Sequence, residues 1–213
     1  MINKIMPYLQ GLARSVTGEK KYDIRKGYIH RTEYNYFNDT VNTDNWQKEV
    51  YEKASSICEA NGLKTVVDVG CGSAFKLIHY LGKYECKGVD VPETVSWLKK
   101  KYPEREWLSF EEVKAGGLHA DLVICSDVIE HVLDPDELLT FIKSVNPRWI
   151  VISTPDRNLV PFAYRFGPPE NPTHIREWAF EEFRRYIERY FVVTEHQITN
   201  KEQGTQMVVC KVR

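Results

Sequence analysis

Apolar and polar positions change period several times along the chain, and each change marks an element. Ile2, Ile5, Met6, Leu9, Leu12, Ala13 and Val16 recur at helical spacing, with Lys4, Arg14 and Lys20 among or just after them. The pattern predicts an amphipathic helix packed on the domain or capping a cleft; the alternative is attachment to a membrane surface or a partner. "YDIRKGYIHRTEYNYFNDT" follows, dense in aromatic and polar residues and without period. "NWQKEVYEKASSICEANG" then reads as a helix, with Trp46, Val50, Ala54 and Ile57 on one stripe and Gly62 as its stop.

Beyond Gly62 short apolar runs alternate with helical ones. "KTVVDVG", "YECKGVD", "REWLSF", "ADLVICS" and "RWIVISTP" are strand candidates, and "SAFKLIHYLGK", "PETVSWLKKKY" and "PDELLTFIKSV" are helices between several of them. Near-continuous apolar strands alternating with helices imply parallel strands covered on both faces. "AFEEFRRYIERYF" reads as a last helix. "FVVTEHQI" and "TQMVVCKV", joined by a turn with Gly204, read as an antiparallel pair at the sheet edge. The expectation is an α/β fold: a doubly wound three-layer sandwich, mostly parallel, with an antiparallel hairpin at its C-terminal edge. Residues 1–44 form an N-terminal helix and aromatic lid segment, and residues 45–213 one domain.

Composition narrows the function. With 42% hydrophobic and 28% charged residues and a net charge of −1, the chain has no global basic field to attract nucleic acid or an anionic membrane. No apolar run approaches the roughly 20 residues of a membrane span, and the start lacks the features of a secretory signal. The five cysteines, Cys58, Cys71, Cys86, Cys125 and Cys210, are scattered and form no C-x-x-C pair, which fits a reducing, cytoplasmic setting.

The first strand-to-helix turn carries the clearest chemistry. "VVDVGCGSAFKL" places Asp68, Gly70, Gly72 and Ala74 between an apolar strand and a helical pattern, where glycines allow a tight turn and close approach of a ligand. Asp90 ends the next strand, 22 positions after Asp68, where a carboxylate can accept both hydroxyls of a ribose. A carboxylate two residues before the first glycine would repel a pyrophosphate but suits a ligand with an amine and a sulfonium centre. That points to S-adenosylmethionine rather than NAD.

"VVDVGCGSA", "GVD" and "DLVICSDVIEHV", in that order, resemble the class I S-adenosylmethionine-dependent methyltransferases, and within them the ubiquinone-type O-methyltransferases. The resemblance covers roughly residues 45 to 213 and implies the Rossmann-like sandwich of that class. By it, Asp68 and the backbone of Gly70, Cys71 and Gly72 flank the methionine moiety, and Asp90, with Val91 beside it, binds the ribose. Ser109 or Phe110 lies near the adenine, and Ser126 and Asp127 near the amino-acid end.

"DVIEHVLDPDEL" then places Asp127, Glu130 and His131 beside the transferable methyl, with Asp134 as N-cap and Pro135 as first residue of the next helix. Glu130 and His131 either brace this loop or act on the acceptor, His131 as the base that removes a hydroxyl proton. A third reading is a divalent metal on Asp127, Glu130, His131 and the later His174. An acid-x-x-Glu-His run followed by "HIREW", with His174, Glu177 and Trp178, is similar to the small-RNA 3′-terminal 2′-O-methyltransferases. It is similar also to bacterial methyltransferases of glycans and secondary metabolites. The reading without a metal is preferred, with His131, Glu130 and His174 as the catalytic set.

The loop "STPDRNLVPFAYRFGPPENPTHIREW" is long and proline-rich, a substrate wall from which Arg157, Tyr164, Arg165, His174 and Arg176 reach an anionic or hydroxylated acceptor. Tyr28, Arg31, Tyr34 and Tyr36 form the opposite wall or lid. The expected activity is O-methylation of a small molecule, sugar or natural-product intermediate, with a carboxylate or peptide acceptor also open. RNA 2′-O-methylation and a non-catalytic cofactor-binding module are the alternatives. Nucleic acid is the less expected partner, and the chain is a monomer or a homodimer.

Overall fold

The computed structural model describes residues 21–114 and 117–213, so the amphipathic helix expected over Ile2 to Val16 lies outside the described residues. The first described helix, α1, spans Lys48–Asn61 and ends at Gly62 in the left-handed conformation, as its stop signal predicts. The chain then alternates through β1 (Thr65–Val69), α2 (Phe75–Leu81), β2 (Glu85–Asp90), α3 (Pro92–Lys101), β3 (Glu106–Ser109) and the short α4 (Phe110–Lys114). It continues through β4 (Leu122–Ser126), α5 (Pro135–Ser144), β5 (Trp149–Pro155), a 3₁₀ turn (Phe162–Tyr164) and α6 (Phe180–Ile187). A hairpin of β6 (Phe191–Asn200) and β7 (Thr205–Val212) follows.

The seven strands form one sheet in the order β3-β2-β1-β4-β5-β7-β6. β1 to β5 run parallel, and β7 pairs antiparallel with both β5 and β6. The hairpin is at the edge, as expected, but with its second strand innermost.

Period-two alternation sends neighbouring strand residues to opposite faces, and each face has its own core. Val67, Val69, Val123, Cys125, Ile150, Ile152, Val208 and Cys210 pack with Leu139 and Ile142 of α5 and Phe183, Tyr186 and Ile187 of α6. Val66, Leu122, Ile124, Val151, Met207 and Val209 pack on the other face, against Val50, Tyr51, Ala54 and Cys58 of α1, Leu77 and Leu81 of α2, and Leu98 of α3. All five cysteines are buried and unbridged, and no described helix is long and apolar enough to cross a membrane.

Gly88 is a tight point of this packing. A Cβ there would lie 2.6 Å from both Cys71 Sγ and the Trp107 ring. Trp107 is buried and tied by its indole N–H to the Tyr102 carbonyl (2.9 Å). Gly88→Ala is expected to destabilise the fold by about 1–3 kcal/mol, the usual cost of overpacking, read from the urea midpoint at unchanged slope.

Candidate active site

Strand order reverses between β1 and β4: β2 and β3 extend one way from this seam, β4 and β5 the other. Loops leaving the carboxyl ends of β1 and β4 therefore diverge and open a crevice, where open α/β sheets bind ligands. A cavity of about 480 Å³ lies there, lined by Gly70 and Gly72 after β1, Asp90 and Val91 at the end of β2, Phe110 after β3 and Ser126 to Val128 at the end of β4. Pro155 and Thr205, paired at the matching ends of β5 and β7, line it as well.

Gly70 and Gly72 take φ of +75° and +53°, a region that favours glycine. A Cβ on Gly70 would strike the Val128 side chain, and one on Gly72 the Asp39 carboxylate. Asp90 holds this turn open, its two oxygens accepting from Gly72 N and Val91 N at 2.8 Å each. Asp68 lies beneath the turn, fully buried, and is not among the residues lining the cavity. One of its oxygens accepts from the Tyr51 hydroxyl (3.0 Å) and the other has no partner. Burial pushes its pKa up to about 7.

Just after β4, Asp127 adopts a left-handed conformation and is fixed by Ser153 Oγ (2.6 Å) and Gln47 Nε2 (3.0 Å), both donating to its carboxylate. Ser126 Oγ bonds Ser153 Oγ (3.0 Å). A buried carboxylate under the turn, two glycines with no room for a Cβ, and Asp90 at the mouth fit a ligand with a ribose and a cationic amino-acid end, as S-adenosylmethionine has.

Glu130, His131 and His174 converge beyond this point, with ligating atoms all within 4.8 Å of one another. Glu130 is fully buried, accepts from Thr154 Oγ1 (3.0 Å) through one oxygen and leaves the other without a partner. Burial, then the charge of Asp127, raises its pKa well above the usual carboxylate range. His131 Nδ1 meets the Thr173 carbonyl at 3.1 Å and must donate there, so Nε2 keeps the lone pair. Its ring stacks on Phe37 (centroids 5.5 Å apart) and meets His174 edge-on at 4.7 Å. Burial lowers the His131 pKa to about 4, so the ring is neutral near pH 7. His174 Nδ1 bonds Glu177 Oε1 (2.6 Å), and its Nε2 faces Asn171 Nδ2 at 3.0 Å.

Several expectations are corrected here. Asp127 stands outside the cluster of possible metal ligands, because Ser153 and Gln47 hold its carboxylate. The Cys71 side chain turns toward the Gly88 position, which leaves the expectation for its backbone untouched. Ser109 caps α4, exchanging bonds with Glu112 (2.6 and 3.2 Å), and Phe110 alone of that pair reaches the cavity.

The substrate wall is also smaller than the loop composition implied. Arg157 is buried in an ion pair with Glu182 (2.6 Å) and lies over the Tyr28 ring, whose hydroxyl accepts from Glu177 N (3.0 Å). Arg176 clamps the loop after β4, donating to the Val132 and Leu133 carbonyls at 2.7 Å each. Arg31 donates to the Pro169 carbonyl (2.7 Å). Tyr28, Arg31 and Arg176 border a separate surface depression, and Tyr164, in the 3₁₀ turn, does not line the cavity. Tyr34 and His174 do line it.

The sequence reading missed Phe37, Asp39, Gln47, Thr94, Asn171 and Gln203, all of which line the cavity. Trp46 belongs there too: it precedes α1 and lies exposed at the mouth instead of on a buried stripe. The segment before α1 is strapped across the glycine turn. Ser73 Oγ donates to Asn42 O (2.5 Å), Lys76 Nζ to Thr43 O (3.1 Å), and the Tyr36 hydroxyl meets Thr94 Oγ1 (3.2 Å).

A family described as "Methyltransferase domain" matches residues 38–204. The chain belongs to that family, and the protein is an S-adenosylmethionine-dependent methyltransferase of class I fold. Among curated proteins none matches the chain. Similar solved structures include an S-adenosylmethionine-dependent methyltransferase from Clostridium acetobutylicum, 13% identical with a TM-score of 0.60, over 78% of this chain and 91% of that one. The methyltransferase domain of the bacterial protein CtHen1-CN is 23% identical with a TM-score of 0.57, over 79% of this chain and all of that one. A third is 1,6-didemethyltoxoflavin-N1-methyltransferase from Burkholderia thailandensis, solved with 1,6-didemethyltoxoflavin and S-adenosylhomocysteine bound. It is 18% identical, with a TM-score of 0.56, over 78% of this chain and 79% of that one. At these identities the likeness is one of fold.

Proposed function

We propose that the protein methylates an oxygen of a small-molecule, sugar or natural-product acceptor, with His131 taking the hydroxyl proton. The observation that carries this reading is the tautomer of His131: donation from Nδ1 to the Thr173 carbonyl leaves a lone pair on Nε2 in a ring that lines the cavity. S-adenosylmethionine supplies an electrophilic methyl group on a sulfonium. The chain then has to align the acceptor with that methyl, exclude water and receive one proton. Asp90 and the glycine turn hold the nucleoside end, Asp127 faces the amino-acid end, and Phe37 keeps the imidazole in plane. Glu130 and Arg176 support the loop: Glu130 through Thr154 and its own carbonyl, which accepts from Ile175 N (2.7 Å), and Arg176 through two carbonyls.

His131→Ala is expected to lower methyl transfer by roughly 10²–10⁴-fold, the range of a lost general base, while affinity for S-adenosylhomocysteine stays within about twofold. Label transfer to an acceptor found by screening hydroxyl compounds gives the first quantity, and calorimetry the second. Wild-type turnover in the variant would return His131 to a bracing role.

A second reading is metal assistance, favoured by the convergence of Glu130, His131 and His174 and by the partnerless oxygen of Glu130. One carboxylate and two imidazoles suit Mn²⁺ or a similar divalent ion, with Glu177 fixing the His174 ring. The ion would orient the acceptor oxygen and lower its pKa. The same calorimeter separates the readings: Mn²⁺ binding to chelator-treated protein that His174→Ala removes would place metal chemistry at this site.

A further inference from the structure

The surface depression bordered by Tyr28, Arg31 and Arg176 shares no lining residue with the methyl-transfer cavity. Its volume of about 480 Å³ is that of a small-molecule pocket. Lys21, Arg31 and Arg176 line it together with His30, and among the described residues no acid does. The carboxylates of this region are engaged elsewhere: Glu182 with Arg157, Glu177 with His174, Asp23 with Arg189, and Asp134 with the start of α5. The depression is therefore a place of positive charge without counter-ions.

Its donors are also incompletely used. Arg176, only 3% exposed, donates through its two Nη atoms to the Val132 and Leu133 carbonyls, and Arg31 donates through Nη2 to the Pro169 carbonyl. Arg176 Nε, Arg31 Nε and His30 Nδ1 are left buried and without a partner. One such nitrogen is uncommon in a folded protein, and three around a single depression call for an acceptor. Burial, then the charges of Arg176, Lys21 and Arg157, lowers the His30 pKa to about 4, so its ring is neutral near pH 7 and adds a donor without adding charge. The backbone holds this array in place: Ile29 N donates to Phe166 O and Arg31 N to Ile175 O, at 2.8 Å each. Donors fixed beforehand lose little freedom when a ligand arrives.

We infer that this depression is a second ligand site, which binds a phosphate monoester with its phosphoryl oxygens toward Arg31, Arg176 and His30. A phosphate monoester carries a charge of about −1.5 to −2 near pH 7 and three strong acceptor oxygens. That matches the cations and partnerless nitrogens of the site better than a carboxylate, with one charge and two oxygens. Lys21, exposed at the rim, adds charge at the entrance. Ile29 and Leu133, the latter 48% exposed, offer apolar surface to the organic part of the ester. Occupancy of the site does not depend on which atom the protein methylates or on His131 as its base.

The test titrates phenyl phosphate, benzoate and phenol by calorimetry into the full chain saturated with S-adenosylhomocysteine. Saturable binding of phenyl phosphate, at least tenfold tighter than benzoate or phenol, is the expected result. Lys21→Gln and Arg31→Gln should each weaken it at least fivefold while affinity for S-adenosylhomocysteine is retained. Lys21 is exposed, so its variant keeps the comparison open if Arg31→Gln does not fold. In proton NMR, phenyl phosphate should shift the imidazole resonances of His30. Vesicles of phosphatidylcholine with phosphatidate separate the sources of the group: attachment that phenyl phosphate releases assigns it to a lipid headgroup, and any other result to a soluble ester. No saturation by phenyl phosphate, benzoate binding as tightly, unchanged binding in the variants, or shifts at His131 and His174 without one at His30 would each overturn the inference.

Discussion

Replacing Asp90 by alanine is expected to weaken S-adenosylhomocysteine binding roughly 100-fold, which corresponds to about 3 kcal/mol. Two contributions add. Hydrogen bonds from ribose hydroxyls to an ionised carboxylate are worth about 1.5–3 kcal/mol each. The same carboxylate also accepts from Gly72 N and Val91 N, so alanine leaves two donors of the glycine turn without partners. Asp90→Asn separates the effects: one amide oxygen can still take a backbone N–H, and an intermediate loss is expected. Calorimetry on all three proteins gives the comparison. Wild-type affinity in the alanine variant would mean that the ribose is held elsewhere.

Arg157→Ala is expected to destabilise the fold by about 3–5 kcal/mol, because it leaves Glu182 buried without its counter-ion. Glu182 also accepts from Ala179 N (3.0 Å) and Arg25 N (2.9 Å), so its carboxylate cannot turn to solvent without undoing the start of α6. For a chain of this size each kcal/mol lowers the melting temperature by roughly 2–4 °C, so a fall of about 6–20 °C follows. Affinity for S-adenosylhomocysteine below the transition should stay near wild type. A variant that melts normally but loses turnover would reverse this assignment and make Arg157 a substrate contact.

The contrast between Asp90 and Arg157 shows what the sequence could and could not convey. The place of Asp90 at the cavity was legible because it follows from local order: a strand, an acid at the strand's end and a glycine turn one unit earlier. The parallel strands were legible for a related reason, since burial on both faces makes each a continuous apolar run. Arg157 was not legible. Its partner lies 25 residues away, and a basic residue in a proline-rich loop reads the same whether it faces a substrate or a buried glutamate. Tyr28 and Arg176 misled in the same way, their partners being backbone groups of distant loops. Trp46 shares its period with the buried stripe of α1, but periodicity cannot locate the first turn of a helix. Gln47, in the left-handed conformation, sets that boundary and leaves Trp46 at the cavity mouth. Asp39, Asn171 and Gln203 sit in aperiodic segments that carry no signal.

The order of the last strands bears on how this chain is made. β7 lies between β5 and β6, so β6 has no place in the sheet until Thr205–Val212 exists to join it. During synthesis from the N-terminus, β4 can settle on β1 and β5 on β4 as they appear. The outer edge of β5, with Ile150, Val151 and Ile152, then waits unpaired for about fifty residues. An apolar strand with free backbone donors and acceptors invites pairing with another chain. A ribosome that stalls between Asn200 and Thr205 would therefore hold out a nascent sheet open along its most apolar edge, where a chaperone or a second nascent chain could attach.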